Sequence, residues 1–526
     1  MVFDVVIIGG GISGLTSAAL LSNAGLKVCV LELNSQLGGY LAKYEKDGFV
    51  FDTSIHWLNN CGENGVVSKV FKLIGSDHPT TRPLKGIKRY VGSDFSYLLT
   101  NNPDELKEQL INDFPQDKEG IGRFFTAARK IGLRMIDHHK LFRTSAALNP
   151  LAKLKSILTK IKFIAPFIRY VRYTGELGKR NGLNLFFSSP KLHRIFSNEP
   201  DLLSCLIPVA WAYGKDYQAP PEKGSHAYPI WLEAKIKANG GTIISKAEAI
   251  KITEQGGKCK SVIYNHDRKV HEVFCDQVIS TSDIRVLYEK LMPGNYVPQK
   301  VLNKLYQADL YNSAVVLNIS LNCPAETLGF NDEIFDLEKV DVDDSLGYNA
   351  NMAIGQISVF SQSARNKSLA PEGKGSLTVL MPALFTSNNQ WRTTFNEKGD
   401  IVRGDEYKKL KKLYADKIIA QIEEKLSIDI QSHIIDCNVA TPITLWRYTK
   451  NHLGTMMGQK PGKKNSMLGI SKYTTPLKGL YIGGHWAEMG GGVPIAVKAA
   501  LNTALLVLKE RKHNYFKVYS DYFDSL

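Results

Sequence analysis

Residues 3 to 14 read Phe3-Asp4-Val5-Val6-Ile7-Ile8-Gly9-Gly10-Gly11-Ile12-Ser13-Gly14. The first six form a continuous β-prone run, the pattern of a strand buried on both faces of a parallel sheet. Gly9, Gly11 and Gly14 then supply G-x-G-x-x-G, which needs glycine for a tight turn, for close approach of the backbone to a pyrophosphate, and for close helix packing. Leu15 to Ala24 read as a helix whose free first N–H groups would face the phosphates, with Gly25 as its C-cap. A second strand, Lys27 to Leu31, ends at Glu32, where an acid can bond the ribose hydroxyls of an adenosine. Strand, glycine turn, helix, strand and acid in this order turn a weak motif into a dinucleotide site contacted by Gly9, Gly11, Ile12, Ser13, Gly14, Glu32 and Leu33.

The chain has 526 residues, enough for three to four domains of about 150 residues or for two large interleaved ones. With 44% apolar and 22% charged residues it is neither disordered nor fibrous. Its seven cysteines, Cys29, Cys61, Cys205, Cys259, Cys275, Cys323 and Cys437, form no CxxC pair. That spacing points to a reducing compartment with neither a disulfide framework nor a metal centre. No uninterrupted apolar stretch of about 18 residues predicts a spanning helix, and Asp4 does not suit a signal peptide, so a cytoplasmic location is expected.

The net charge of +15 is local. Arg129 to Arg180 hold thirteen basic residues against Asp137 and Glu176, a net +11, and the rest of the chain carries only +4. Within that stretch Leu151, Leu154, Leu158, Ile161, Ala165, Ile168 and Val171 recur at helical spacing between Lys153, Lys155, Lys160, Lys162, Arg169 and Arg172, with a kink expected at Pro166. One reading of this basic amphipathic helix is a surface helix with its stripe on the core. The preferred one is docking of 129–180 on an anionic membrane, to which each cation near acidic lipid adds about 1 kcal/mol. No recognisable nucleic-acid module accompanies the charge, so no nucleic-acid partner is expected.

After Glu32 come Gly38-Gly39 and then Asp47-Gly-Phe-Val-Phe-Asp-Thr-Ser54-Ile55-His56-Trp57-Leu58. This stretch resembles the flavin-binding arm of the amine-oxidase-like flavoproteins, and Phe51 to Leu58 is similar to the phytoene desaturase, carotenoid isomerase and retinol saturase group. The resemblance extends through Gly224-Ser225, Gly240-Gly241-Thr242 and Asp276 to Thr281. It continues in Thr441-Pro442-Ile-Thr-Leu-Trp446-Arg447-Tyr448-Thr449, which is similar to the family's substrate-face strand. It ends in Gly479 to Gly484 and Gly490-Gly-Gly492-Val493-Pro494, followed by a helix from Ile495 to about Lys509. Pro494 in the first turn of that helix sets its positive end against a flavin.

The resemblance implies FAD, held additionally by Gly38, Gly39, Ser54, Ile55, His56, Gly484, His485, Gly492, Val493 and Pro494. It implies an α/β fold, a Rossmann-like FAD-binding domain of GR2 type from 1–75, 216–300 and 441–526, interleaved with an α+β substrate domain from 76–215 and 301–440. His485 departs from the family, which often has Asp there. The implied activity is oxidoreduction at carbon–carbon bonds of a long apolar polyene, isoprenoid or lipid, by desaturation, saturation or isomerisation. The candidate acid/base residues are His56, Arg447, Tyr448, His485 and Glu488. No second glycine motif for a nicotinamide is evident, so an external electron donor or acceptor is expected. An amine-oxidase-like flavoprotein acting on a small soluble substrate and a non-catalytic lipid-binding flavoprotein remain open alternatives.

Overall fold

The computed structural model describes residues 2–525 apart from 56, 197, 339–355, 386–389 and 398–400, and the side chains of 138 and 139. Two seven-stranded sheets organise it. In the first, Val2–Ile8 lies between Val28–Leu31 and Lys269–Ser280, parallel to both, and Thr242–Ile244 and Leu480–Ile482 extend the parallel array. Val5, Val6 and Ile7 are fully buried, as the unbroken apolar run requires. The helix Ile12–Asn23 begins inside the glycine motif, three residues before the apolar run suggests, because Gly11 itself is the N-cap.

That helix packs between Ala227–Ala238 and the long helix Gly492–Glu510. The latter is long and apolar enough to cross a membrane, but 72% of its apolar window is buried in the core. It is the cofactor-side core helix, and no other described helix meets both criteria.

The second sheet runs Ile434–Ala440, Ser313–Leu321, Gly375–Ala383, Ile357–Phe360, Ile334–Leu337, Gly86–Val91 and Ser96–Thr100. Val315, Leu317 and Ile319 with Leu377 and Val379 put one face on the helix Asp405–Leu426, through Ile418, Ile419 and Ile422. Register sets Val316, Leu380, Ser358, Asp336 and Tyr90 in a row on the opposite face. Helices Lys118–Ile136 and Leu202–Tyr213 form an aromatic-rich cluster with Tyr90 and Tyr97 at the far end of that face.

One sequence expectation is corrected. Thr441 to Thr449 is no strand: Pro442–Thr449 is a helix capped by the Thr441 side chain, with Pro442 at its first position. The basic helix, Pro150–Val171, continues through Pro166 as one element. Its stripe does not face the core, since only Ser156 and Tyr170 are buried, while Leu151 is 77%, Ile161 62% and Ile168 65% exposed.

Candidate flavin site

Three distant segments converge on the glycine turn. Thr281 Oγ1 donates to the carbonyls of Ile8 and Gly9 at 2.9 and 3.1 Å. The Gly484 N–H donates to Ser13 Oγ at 3.0 Å, and the Gly483 N–H to the Ser280 carbonyl at 2.7 Å. The start, middle and end of the sequence thereby meet within one hydrogen-bonded knot.

Gly14 permits the close helix approach, because a Cβ there would lie 2.0 Å from the Gly9 carbonyl oxygen. A Cβ at Gly11 would meet nothing within 4 Å, so the helix start opens on free space. No side chain caps that helix or Gly492–Glu510, and both leave first-turn N–H groups for an anion. Gly39, at φ +58°, passes within 3.3 Å of the Gly11 Cα as judged from its would-be Cβ, and the Gly38 N–H bonds the Gly10 carbonyl at 2.8 Å. The twin glycine is therefore the second lip of the cleft.

Glu32 is buried at that mouth, accepting from the N–H groups of Gly10 and Asn34, each at 2.7 Å. Leu33 beside it is half-buried. Ser54 Oγ is buried without a partner, and Ile55 packs on the cofactor-side core. Val493 and Pro494 are buried in the first turn of the closing helix. His56 lies outside the described residues.

The remaining candidates occupy different surroundings. His485 is half-buried beside Gly458 and Trp486, its Nε2 is buried without a partner, and burial pulls its pKa down to about 4. Glu488 accepts from the Tyr473 hydroxyl and pairs with Lys498 at 3.2 Å. Arg447 and Tyr448 are exposed, Arg447 lies 5.0 Å over the Tyr448 ring, and the Tyr448 carbonyl accepts from Asn34 Nδ2 at 2.8 Å. These two therefore stand on the Glu32 side of the molecule.

Sequence reasoning missed four groups. Asp52 accepts from Ser225 N at 2.9 Å and Oγ at 2.8 Å, so Gly224-Ser225 anchors the flavin arm. Gln459 is fully buried with neither end of its amide paired, and Trp486 Nε1 is likewise unpaired. Trp57, Trp211 and Tyr217 meet in tilted and edge-on pairs at centroid distances of 4.5 to 6.0 Å directly after the arm. Burial raises Asp216, next to Tyr217, to about 7 while it accepts from the Asn60 N–H. Only the run of aromatics around 57 and 211–217 could have signalled any of these.

Unpaired buried donors, two uncapped helix starts and a glycine-lined cleft with an acid at its mouth fit a flavin dinucleotide. Residues 12–508 match the family model described as flavin containing amine oxidoreductase. The chain belongs to the flavin-containing amine oxidoreductase family. It is a flavoprotein oxidoreductase whose cofactor is FAD. It is 26% identical to prolycopene isomerase of Daucus carota over 93% of this chain and 77% of that one. It is 23% identical to phytoene desaturase (lycopene-forming) of Pantoea ananas over 96% and 99%. It is 22% identical to all-trans-retinol 13,14-reductase of Rattus norvegicus over 97% and 86%. A putrescine oxidase structure superposes with a TM-score of 0.59 at 13% identity, covering 97% of this chain and 99% of that one, a likeness of fold.

Proposed function

We propose that this flavoprotein transfers hydride to or from a carbon of a long apolar polyene, desaturating, saturating or isomerising it. The observation that carries this reading is the wall beside the flavin arm. Trp57, Trp211 and Tyr217 pack tilted and edge to face against one another, an apolar aromatic surface that favours a flat apolar chain over a small amine. The relatives with polyene names support the same direction. The division into a cofactor unit of 1–75, 216–300 and 441–526 and a substrate unit of 76–215 and 301–440 belongs to this reading.

Bound FAD supplies the hydride acceptor or donor. The chain's part is to position and to exclude water. Tyr40, on the twin-glycine arm, donates to the Thr455 carbonyl at 2.7 Å and packs on Ala314, Val316 and Leu445, so the arm is pinned to the second sheet. His485 is neutral at pH 7 and offers a hydrogen bond without a charge. Electrons arrive from or leave to an external partner.

The basic helix docks the protein on an anionic bilayer, from which such substrates are drawn. Its outward face joins exposed Leu151, Leu154, Ile161 and Ile168 to Lys153, Lys155, Lys160 and Lys162. Anaerobic spectroscopy of the purified protein with candidate polyenes, with products weighed by mass spectrometry, tests the reaction. Flavin bleaching or reoxidation with a two-hydrogen change, or an isomer of unchanged mass, is expected. Turnover of putrescine-like amines and none of polyenes would overturn it.

A further inference from the structure

The second sheet ends in a strand with a free side. Ile434–Ala440 pairs with Ser313–Leu321 along one edge and with no described strand along the other, which leaves outward N–H and C=O groups outside the ladder. The helix Asp405–Leu426 lies against it and runs the opposite way. The Tyr407 hydroxyl meets Thr441 Oγ1 at 2.7 Å just past the strand, and the Ile430 N–H donates to Glu423 Oε1 at 2.7 Å ahead of it. Between helix and strand edge opens a cavity of about 400 Å³, lined from Lys408 to Ile419 on one side and from Ile434 to Val439 on the other. That helix stretch rises about 16 Å, the length of about five residues of extended chain.

The groove is polarised along its length. Lys408, Lys411 and Lys412 share one helix face by their spacing and stand at the end where the strand passes Asn438 and Val439. Ala415, Ile419 and Ile434 line the other end, with Asp416 among them. Lys408 is paired with Asp405 at 2.9 Å, whereas among the described residues neither Lys411 nor Lys412 has a carboxylate partner. Lys411 is half-buried, and its ammonium lies 5.7 Å over the Tyr407 ring. Burial, and then the nearby Arg403 guanidinium, lower its pKa. A half-dry ammonium that faces a second cation gains most from an incoming anion. Lysines that only guard a sheet edge against aggregation stand in water, and Lys411 does not.

We propose that this groove takes an extended acidic segment of a partner protein, which adds to the sheet as a strand beside Ile434–Ala440, with its acids at Lys411 and Lys412 and an apolar side chain toward Ile419 and Ile434. The inference is independent of the polyene reading. Main-chain bonds to the free edge supply affinity, and alternate side chains in the groove supply selectivity. A second copy of the chain, paired along the same edge, would bring only Asp436, whose carboxylate Lys46 already holds at 2.7 Å. A small polyanion would satisfy the lysines but leave the strand edge and the apolar end unused.

The test titrates three fluorescein-labelled octapeptides into the FAD-loaded protein and follows their anisotropy. The first has two N-terminal glutamates, where an antiparallel strand meets the lysines, followed by alternating valine and threonine. The second has lysines in place of the glutamates, and the third is the first with alternate amide nitrogens methylated, so that it cannot pair as a strand. The acidic peptide should bind at least tenfold tighter than either of the others and should slow hydrogen exchange across 434–440, read by mass spectrometry. Lys411→Gln combined with Lys412→Gln should weaken it at least fivefold, with the flavin spectrum and the unfolding temperature unchanged. No binding of the acidic peptide at millimolar concentration, equal binding of the lysine or methylated peptide, or an affinity that the double variant retains would overturn the proposal. Tight binding of inorganic pyrophosphate with no peptide slowing exchange would assign the lysines to a small polyanion instead. Protection of 434–440 that rises with protein concentration in the absence of peptide would assign the edge to a second copy.

Discussion

His485 sits in the loop that closes the flavin cleft, half-buried, with its Nε2 buried and without a partner. Its pKa falls from an ordinary 6.5 to about 4 because burial disfavours the imidazolium. Between those values the unfolded chain binds the proton that the folded chain refuses, so stability is complete above pH 6.5 and declines as pH falls toward 4. The decline is on the order of 3 kcal/mol. Thermal melts of the FAD-loaded protein and of His485→Gln from pH 4.5 to 7.5 should show a shallower slope in the variant, and identical slopes would contradict the assignment. Gly9, Gly11, Gly14 and Glu32 were legible because their roles are local to one strand–turn–helix. The Asp52–Ser225 anchor joins residues 173 apart, and the buried Gln459 has no local pattern, so neither could be read from the chain.

At the level of elements, periodicity identifies a helix without saying which way it faces. The 150–171 segment illustrates this: its leucine and isoleucine stripe reads either as a core face or as the preferred membrane-docking face, and it points outward with the lysines, while Ser156 and Tyr170 turn in. The Thr441–Thr449 segment shows the complementary failure. Its Thr, Trp and Tyr content is β-prone, but Thr-Pro at the start caps a helix, and the local cap won. The outward stripe predicts that Leu154→Ser, Ile161→Ser and Ile168→Ser together weaken association with phosphatidylserine vesicles at least tenfold in flotation, leaving FAD content unchanged. Reversing Lys153, Lys155, Lys160 and Lys162 to Glu should abolish the low-salt association outright, and binding indifferent to both sets would end the docking reading. The helix is not loosely tethered. Asn502, on the closing helix, accepts from the Thr144 N–H at 2.6 Å and donates to the Phe142 carbonyl at 2.8 Å, just ahead of it.

For the molecule as a whole, the cofactor-side sheet interleaves strands from residues 2–31, 242–280 and 480–482. The pairing of Val2–Ile8 with Lys269–Ser280 at its centre therefore cannot form in either half of the chain alone. A protein ending at residue 478 lacks Gly483, Gly484 and the closing helix, and should purify colourless, with no flavin absorbance near 450 nm. Retention of stoichiometric FAD by that truncation would refute the three-segment site. The family-level resemblance made this interleaving legible, because its motifs lie at both ends and in the middle of the sequence. The buried Lys88–Glu199–Asp336 cluster on the second sheet was not, since its members come from three separate regions and none of them stands in a motif.

The central position of Val2–Ile8 also bears on biosynthesis. The ribosome makes that strand well before its partner ending at Ser280, and the Gly484 contact to Ser13 waits for a segment later still. At about 5–20 residues per second, roughly 25–100 s separate the emergence of the two ends of the site. An apolar strand paired only with Val28–Leu31 over that interval is a target for chaperones, and the cofactor can be captured only after the Gly484 segment has been made.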